Sequence, residues 1–259
     1  MTKTILITGA TDGIGLLTAQ KLAEDGHRIL LHGRSEAKLA KAAELVGAAE
    51  TYRADLSRMS DVTAMAEAIL ARHDHLDVLI NNAGILKSPQ TKTEAGRDIR
   101  FDVNTIAPYL LTRSLLPIIP AEGRVVNLSS AAQAPVDVDA MTNYRQMADM
   151  DAYAQSKLAI TIWSAEMGRE LPDGPVVVSV NPGSLLASKM VKEGFGIAGN
   201  DLSIGAQVLI RAALSEDFAD ASGKYFDNDT GQFAPPNPAA SDPQQVKTVT
   251  AALRQITGL

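Results

Sequence analysis

Tyr153 and Lys157 stand one helical turn apart in Tyr153-Ala154-Gln155-Ser156-Lys157, ahead of an apolar helical run. At that spacing both side chains leave the same helix face. A phenol with its ordinary pKa near 10 is a weak acid at neutral pH, and an ammonium group fixed beside it favours the phenolate. The pair therefore predicts a tyrosine that trades protons with an alcohol or a carbonyl. Such a pair also arises by chance on solvated helix faces, so its weight depends on the company it keeps.

A second chemical feature is Thr8-Gly9-Ala10-Thr11-Asp12-Gly13-Ile14-Gly15, directly after the first apolar run and at the start of a helical pattern. Glycines in this context permit a tight turn and close backbone approach, while the helix N-terminus offers free N–H groups to a pyrophosphate. Gly9, Thr11, Asp12, Gly13, Ile14 and Gly15 are thus candidate dinucleotide contacts. The second strand ends Leu31-His32-Gly33-Arg34, where a carboxylate would bind the ribose 2′-hydroxyl of NAD. Arg34 stands there instead, a planar cation suited to a 2′-phosphate, so NADP(H) is expected over NAD(H). Asn104 is a third feature: Pro108, one turn later, has no N–H to offer its carbonyl, which predicts a kinked helix with that carbonyl free to hold a water.

The elements that must position these residues alternate. Apolar runs at 4–8, 28–32, 50–53, 76–81, 124–129, 176–181 and, weakly, 224–227 predict strands, and helical patterns at 13–25, 36–46, 60–73, 94–116, 152–171, 203–214 and 243–256 lie between and after them. This alternation predicts a single-domain α/β fold over 1–259, a doubly wound Rossmann fold with a parallel sheet of about seven strands and helices on both faces. Segments 131–150 and 187–200 break the alternation and are expected to form a substrate pocket and its lid. Met141, Met147 and Met150 would lend the first an adaptable apolar surface. Phe233-Ala234-Pro235-Pro236-Asn237-Pro238 reads as an irregular connector to the last helix.

Composition narrows the possibilities. Lys and Arg number 24 against 30 Asp and Glu, a net charge of −6 in 259 residues with no basic block, which speaks against nucleic acid or an anionic membrane as partner. There is no cysteine, which excludes disulfides, a thiol nucleophile and thiolate metal ligands. His73 and His75, the closest histidines, read as solvated residues at a helix end, and no metal site is expected. The first apolar run is too short for a signal peptide or membrane span, so a soluble, cytoplasmic protein is expected. Gly-x-Ser-x-Gly is absent, leaving a hydrolase reading without a nucleophile.

Together these residues resemble the short-chain dehydrogenase/reductase family, with retinol-dehydrogenase-like features. The resemblance rests on Thr8-Gly9-x-x-x-Gly13-x-Gly15, Asp55, Asn81-Asn82-Ala83-Gly84, Asn104, Ser129-Ser130, Tyr153-x-x-x-Lys157 and Asn181-Pro182-Gly183, in the family's order. It implies that Asp55 and Leu56 meet the adenine, that Asn82, Ala83 and Gly84 support the cofactor, and that Pro182 and Gly183 lie near the nicotinamide. Lys157 would bind the nicotinamide ribose and acidify Tyr153, Ser130 would hold the substrate oxygen, and the Asn104 carbonyl would join a proton relay. Two departures stand out. The stretch from Ser130 to Tyr153 is longer than in many members, as in retinol-dehydrogenase-like ones. Where the family commonly has Thr after Pro-Gly this chain has Ala187, which leaves Ser188 as the candidate amide contact.

The reading is an NADP(H)-dependent oxidoreductase that interconverts a carbonyl and an alcohol on a small-molecule substrate. Its alternatives are an NAD-dependent secondary alcohol dehydrogenase and a non-catalytic dinucleotide sensor. The resemblance also implies a homodimer or homotetramer joined through the helix bearing Tyr153 and the one before it.

Overall fold

The computed structural model describes residues 1–47, 50–187, 196 and 198–259. Among these residues the sheet holds eight strands in the order β3-β2-β1-β4-β5-β6-β7-β8. They are β1 (Thr4–Ile7), β2 (Arg28–Gly33), β3 (Glu50–Arg53), β4 (Val78–Asn81), β5 (Arg124–Leu128), β6 (Val176–Asn181), β7 (Tyr225–Asp227) and β8 (Gln232–Phe233). The first seven pair in parallel, with Ile5 opposite Ile29 and Val78, and Val125 opposite Leu79 and Val177. The eighth is antiparallel to β7 and adds one strand to the seven expected from sequence.

Buried strands explain the apolar runs, because both faces of a parallel sheet are covered. Leu6, Leu30, Leu79, Val125 and Val177 point to one face, where they pack with α3 (Met59–Leu70), α5 (Ala107–Leu115), α7 (Asp149–Glu170) and α9 (Pro243–Thr257). Ile5, Ile7, Ile29, Ile80, Val126 and Val178 point to the other, under α1 (Gly13–Glu24), α2 (Glu36–Val46) and α8 (Leu202–Leu214). The alternation by single residues is the period of a pleated strand. Strand order reverses between β1 and β4, and in open sheets of this kind the crevice at the carboxyl ends of the strands is where ligands bind.

Several expectations need correction. The helix predicted from Glu94 begins only at α4 (Ile99–Phe101), because residues before it form a loop closed by a Lys92–Asp98 bridge, and Asp98 accepts the Arg100 N–H at 2.9 Å as the cap. Pro108 does not simply kink the helix. A π turn spans Asp102–Ile106, with the Ala107 N–H bonded to the Asp102 carbonyl, and α5 restarts with Pro108 in its first turn, where no N–H is needed. Segment 131–150 contains a short helix, α6 (Val138–Thr142), and Met141 is fully buried in the core, so it offers no pocket surface. Phe233 belongs to β8, opposite Phe226, and the chain re-enters a 3-10 turn at Pro238–Ser241, so the connector is shorter than expected.

His73 is buried and bonds the Tyr52 hydroxyl at 3.1 Å and Glu50 at 3.2 Å, so it is not a solvated helix end. Among the described residues no helix is long and apolar enough to cross a membrane.

Candidate active site

Two neighbouring strand ends build the dinucleotide side. Gly9 and Gly13 adopt φ of 64° and 58°, a left-handed conformation that favours glycine. Gly15 has no such φ, but a Cβ there would lie 2.4 Å from Asn82 Nδ2 and 2.6 Å from the Gly9 carbonyl. A Cβ on Gly9 would meet the Ala83 Cα at 2.8 Å. The loop after β1 therefore lies flush against the loop after β4. Asn82 fastens the two, donating to the Thr8 carbonyl at 2.8 Å and the Gly9 carbonyl at 3.1 Å, while the Ala83 N–H donates to Thr8 Oγ1 at 3.1 Å. Asp12 precedes α1 without capping it; its carboxylate pairs with Lys38 Nζ at 3.3 Å instead, which leaves the first N–H groups of α1 without a side-chain acceptor. These are the features a pyrophosphate requires, backbone donors at a helix start and no side chain in the way.

His32, at the end of β2, completes this wall. Its Nδ1 accepts the Gly9 N–H at 3.1 Å, so its Nε2, 3.1 Å from the Ala54 carbonyl, carries the proton and donates. Burial lowers its pKa to about 4, which agrees with the neutral ring. Arg34 is exposed just beyond, and Asp55 is half-buried next to buried Leu56. Burial works against the charge on Asp55, yet its bonds from the Ser57 N–H and hydroxyl, with Arg34 and Arg58 nearby, hold its carboxyl below the usual range.

The candidate reacting groups lie together at the carboxyl end of β5. Lys157 is 3% exposed and donates from Nζ to the Leu128 carbonyl at 2.7 Å, and that Nζ sits 5.6 Å from the centre of the Tyr153 ring. Ser129 donates to the Lys157 carbonyl at 3.0 Å and shares a 2.6 Å bond with the Thr161 hydroxyl, so the strand end and the turn of α7 below Tyr153 are locked together. Ser130 follows. Its Oγ accepts the Ala132 N–H at 3.1 Å, which leaves its own proton to donate. Asn104 reaches the same turn from the π segment: Nδ2 donates to Ser156 Oγ at 2.9 Å and to the Ile85 carbonyl at 2.9 Å, and Oδ1 accepts the Ile85 N–H at 2.8 Å. The Asn104 side chain thus joins the loop after β4 to α7.

The electrostatics differ from the expectation that Lys157 lowers the phenol. Burial pushes the Tyr153 phenol above its ordinary value, and the Ser130 hydroxyl offsets only part of that rise. The same desolvation lowers Lys157 to about 7. Burial disfavours the charged form of both side chains, and the Lys157 ammonium faces the ring of Tyr153 and bonds a backbone carbonyl.

The third wall follows β6. Asn181 Oδ1 accepts the Gly183 N–H at 3.3 Å, and Asp229 from the β7–β8 turn takes the Ser184 N–H at 2.7 Å and Asn181 Nδ2 at 2.9 Å. Asn228 holds the Pro182 carbonyl at 3.0 Å. Gly183, at φ 119°, lies in a region that favours glycine. Leu186 and Asn200 form a parallel bridge that brings the two ends of segment 187–200 together. Ser188 and most of that segment lie outside the described residues.

The structure brings Ser130, Tyr153, Lys157 and the Asn104 side chain into one cluster, and Gly9 to Gly15 with Asn82, Ala83 and Gly84 into the adjoining one. Arg34, Asp55 and Leu56 stand apart at the ends of β2 and β3. Sequence reasoning passed over His32, Lys38, Gln133, Ser156, Tyr225 and Asp229. A histidine inside an otherwise apolar strand was a signal for the first; the others carry no local mark.

The short chain dehydrogenase family profile matches residues 3–196. Retinol dehydrogenase 13 of Homo sapiens is 33% identical, over 99% of this chain and 85% of that protein. Among solved structures, an uncharacterized protein from Mycobacterium Paratuberculosis superposes with a TM-score of 0.81 at 29% identity, covering 99% of this chain and 93% of the other. Angucycline C-6 ketoreductase LanV with bound NADP superposes with a TM-score of 0.67 at 29% identity, covering 87% of this chain and 93% of the other.

Proposed function

The chain belongs to the short chain dehydrogenase family, oxidoreductases acting on CH–OH and C=O groups with a nicotinamide dinucleotide, and we propose that within it this protein is an NADP(H)-dependent reductase of a lipophilic carbonyl compound, with Tyr153 as the acid. The observation that carries this reading is the convergence of Tyr153, Ser130 and Lys157 at the end of β5, next to a glycine loop shaped for a pyrophosphate.

A bound nicotinamide coenzyme would supply the hydride; the residues of this chain would do the rest. Gly9, Thr11, Gly13, Ile14 and Gly15 would offer backbone to the pyrophosphate, Asn82, Ala83 and Gly84 would support the coenzyme from the end of β4, and Asp55 and Leu56 would flank the adenine. Pro182 and Gly183 would stand on the nicotinamide side. Arg34 and Lys38 favour a 2′-phosphate, and Lys38 neutralises Asp12, the one carboxylate of the glycine loop. Ser130 orients the carbonyl oxygen by donating its hydroxyl proton. Tyr153, held neutral by burial, gives its proton to that oxygen as negative charge develops there. Asn104 fixes the turn that carries Tyr153.

A lipophilic substrate is supported by the name of the human relative, a retinol dehydrogenase, and by exposed apolar side chains around the site. Met150, one turn ahead of Tyr153, is 38% exposed, and Leu185 and Ile204, beside Gly183, are 42% and 45% exposed. The direct test is oxidation of NADPH and of NADH against a panel of aldehydes and ketones graded by chain length. Turnover should favour NADPH and rise with apolar length, and Tyr153→Phe should abolish it while NADPH still binds. Normal turnover by Tyr153→Phe would overturn the assignment.

A further inference from the structure

The carbonyl of Ser130 receives two donors from different parts of the chain. Gln133 Nε2 reaches it at 2.9 Å and the Tyr225 hydroxyl at 3.1 Å. With the Ala132 N–H on Ser130 Oγ, both oxygens of this residue are fixed by the protein itself. Gln133 is held from its other end. Its Oε1 accepts the Asn237 N–H at 3.0 Å, and its backbone carbonyl accepts Asn237 Nδ2 at 3.2 Å. The orientation of the amide is not open: a carbonyl can only accept and a backbone N–H can only donate, so Nε2 must face Ser130 and Oε1 must face Asn237. A few residues on, Gln245 of α9 makes a matching clamp, accepting the Val136 N–H at 2.9 Å and donating to the Val136 carbonyl at 3.0 Å.

Four hydrogen bonds therefore stitch Asn237 and Gln245 to Gln133 and Val136 across a long sequence separation. Nothing in this arrangement touches a reacting atom, but its inner end terminates on Ser130. We propose that Gln133 is a positioning residue that transmits the grip of the C-terminal segment to Ser130, and that Asn237 acts on the reaction only through Gln133. This rests on the reading of Ser130 as the residue that orients the substrate oxygen. The physical basis is that a primary amide offers a donor and an acceptor in one plane, whereas Leu supplies neither, and an ionised Glu would set a carboxylate oxygen against the Ser130 carbonyl. Freed from Gln133, the peptide of Ser130 keeps one external donor, Tyr225, and can swing about it. A displacement near 1 Å in a reacting group costs about 10²-fold in rate.

The test uses the full chain and the best carbonyl substrate of the wild type. Gln133→Leu should lower kcat about 10- to 100-fold with the Kd for NADPH unchanged within about twofold. Asn237→Ala should lower kcat about tenfold alone but less than about twofold in the Gln133→Leu background, the signature of residues acting through one another. Gln133→Glu, which keeps the volume, decides the matter should Gln133→Leu fail to fold. A purely structural role would lower Tm but leave kcat per folded molecule unchanged, which would overturn the proposal, as would independent multiplication of the Gln133 and Asn237 effects. Tyr153→Phe serves as the separate control. If it turns over normally, the assignment of the reaction fails; if it is inactive while Gln133→Leu keeps the wild-type kcat, only the positioning role fails.

Discussion

Asn104 and Ser156 are joined by a 2.9 Å hydrogen bond, and the Ser156 hydroxyl passes its own proton on to the Tyr153 carbonyl at 2.7 Å. A residue in a π turn thereby holds the backbone of the candidate acid. Every polar atom of the Asn104 side chain is engaged, two of its bonds going to the backbone of Ile85. Asn104→Ala would strand the N–H and carbonyl of Ile85 and loosen the first half of α7. We expect a loss of about 2–4 kcal/mol in urea unfolding, together with a fall in kcat. Unchanged stability would show that this link is dispensable.

Coenzyme choice is predicted to reside at the end of β2. Arg34→Asp places a carboxylate where a 2′-phosphate would sit. The Kd for NADPH should rise about 10- to 100-fold, or about 1.4–2.8 kcal/mol, with that for NADH moving only a few-fold. Fluorescence titration of both coenzymes decides it, and an equal effect on the two would remove Arg34 from this role.

Two glycines of one loop should respond in opposite order to their backbone angles. Gly13 has the left-handed φ but nothing within 4 Å of a Cβ, whereas Gly15 has an ordinary φ and a Cβ that would strike Asn82. Gly13→Ala should cost about 1–2 kcal/mol of backbone strain. Gly15→Ala should cost more and also weaken coenzyme binding, because Asn82 must give way. Equal affinities in the two variants would contradict the packing argument.

His32 predicts an acid-side dependence of stability. Its folded pKa of about 4 lies below the ordinary 6.5, so the unfolded chain binds the extra proton between those values and stability rises with pH across that window. The contribution is complete above about pH 6.5 and is lost as the pH falls towards 4. His32→Gln should abolish up to about 3 kcal/mol of this slope relative to the wild type, read by urea unfolding at several pH values.

The sheet was legible from sequence because its central strands are buried on both faces and so spell continuous apolar runs between turn residues. The glycine loop and the Tyr153–Lys157 pair were legible for a related reason: each is local, its spacing dictated by one turn or one helix. Legibility ended where a contact spans the chain. Gln133 meets Asn237, and Asp229 meets Asn181, without any local pattern that marks them. The start of α4 was misplaced because Glu94, Ala95 and Arg97 favour helix, yet Gly96 turns the chain at φ 74° and the Lys92–Asp98 bridge claims the backbone around it. The rise in the Tyr153 pKa was invisible for a different reason, since burial is a property of the assembled core and cannot be read from two residues on a helix.

The C-terminal helix α9 seats on α7 through buried Val249 and Leu253, and Glu170 at the end of α7 is gripped by Arg254 of α9 at 2.6 Å and by Arg113 of α5. Trp163 and Tyr109, on the very helices expected to join subunits, pack edge to face within the chain at 5.6 Å. The described groups gathered around Tyr153 lie on helices braced within one polypeptide, so the rate per molecule on dilution to nanomolar levels, held or lowered, reads whether a second copy supports the site.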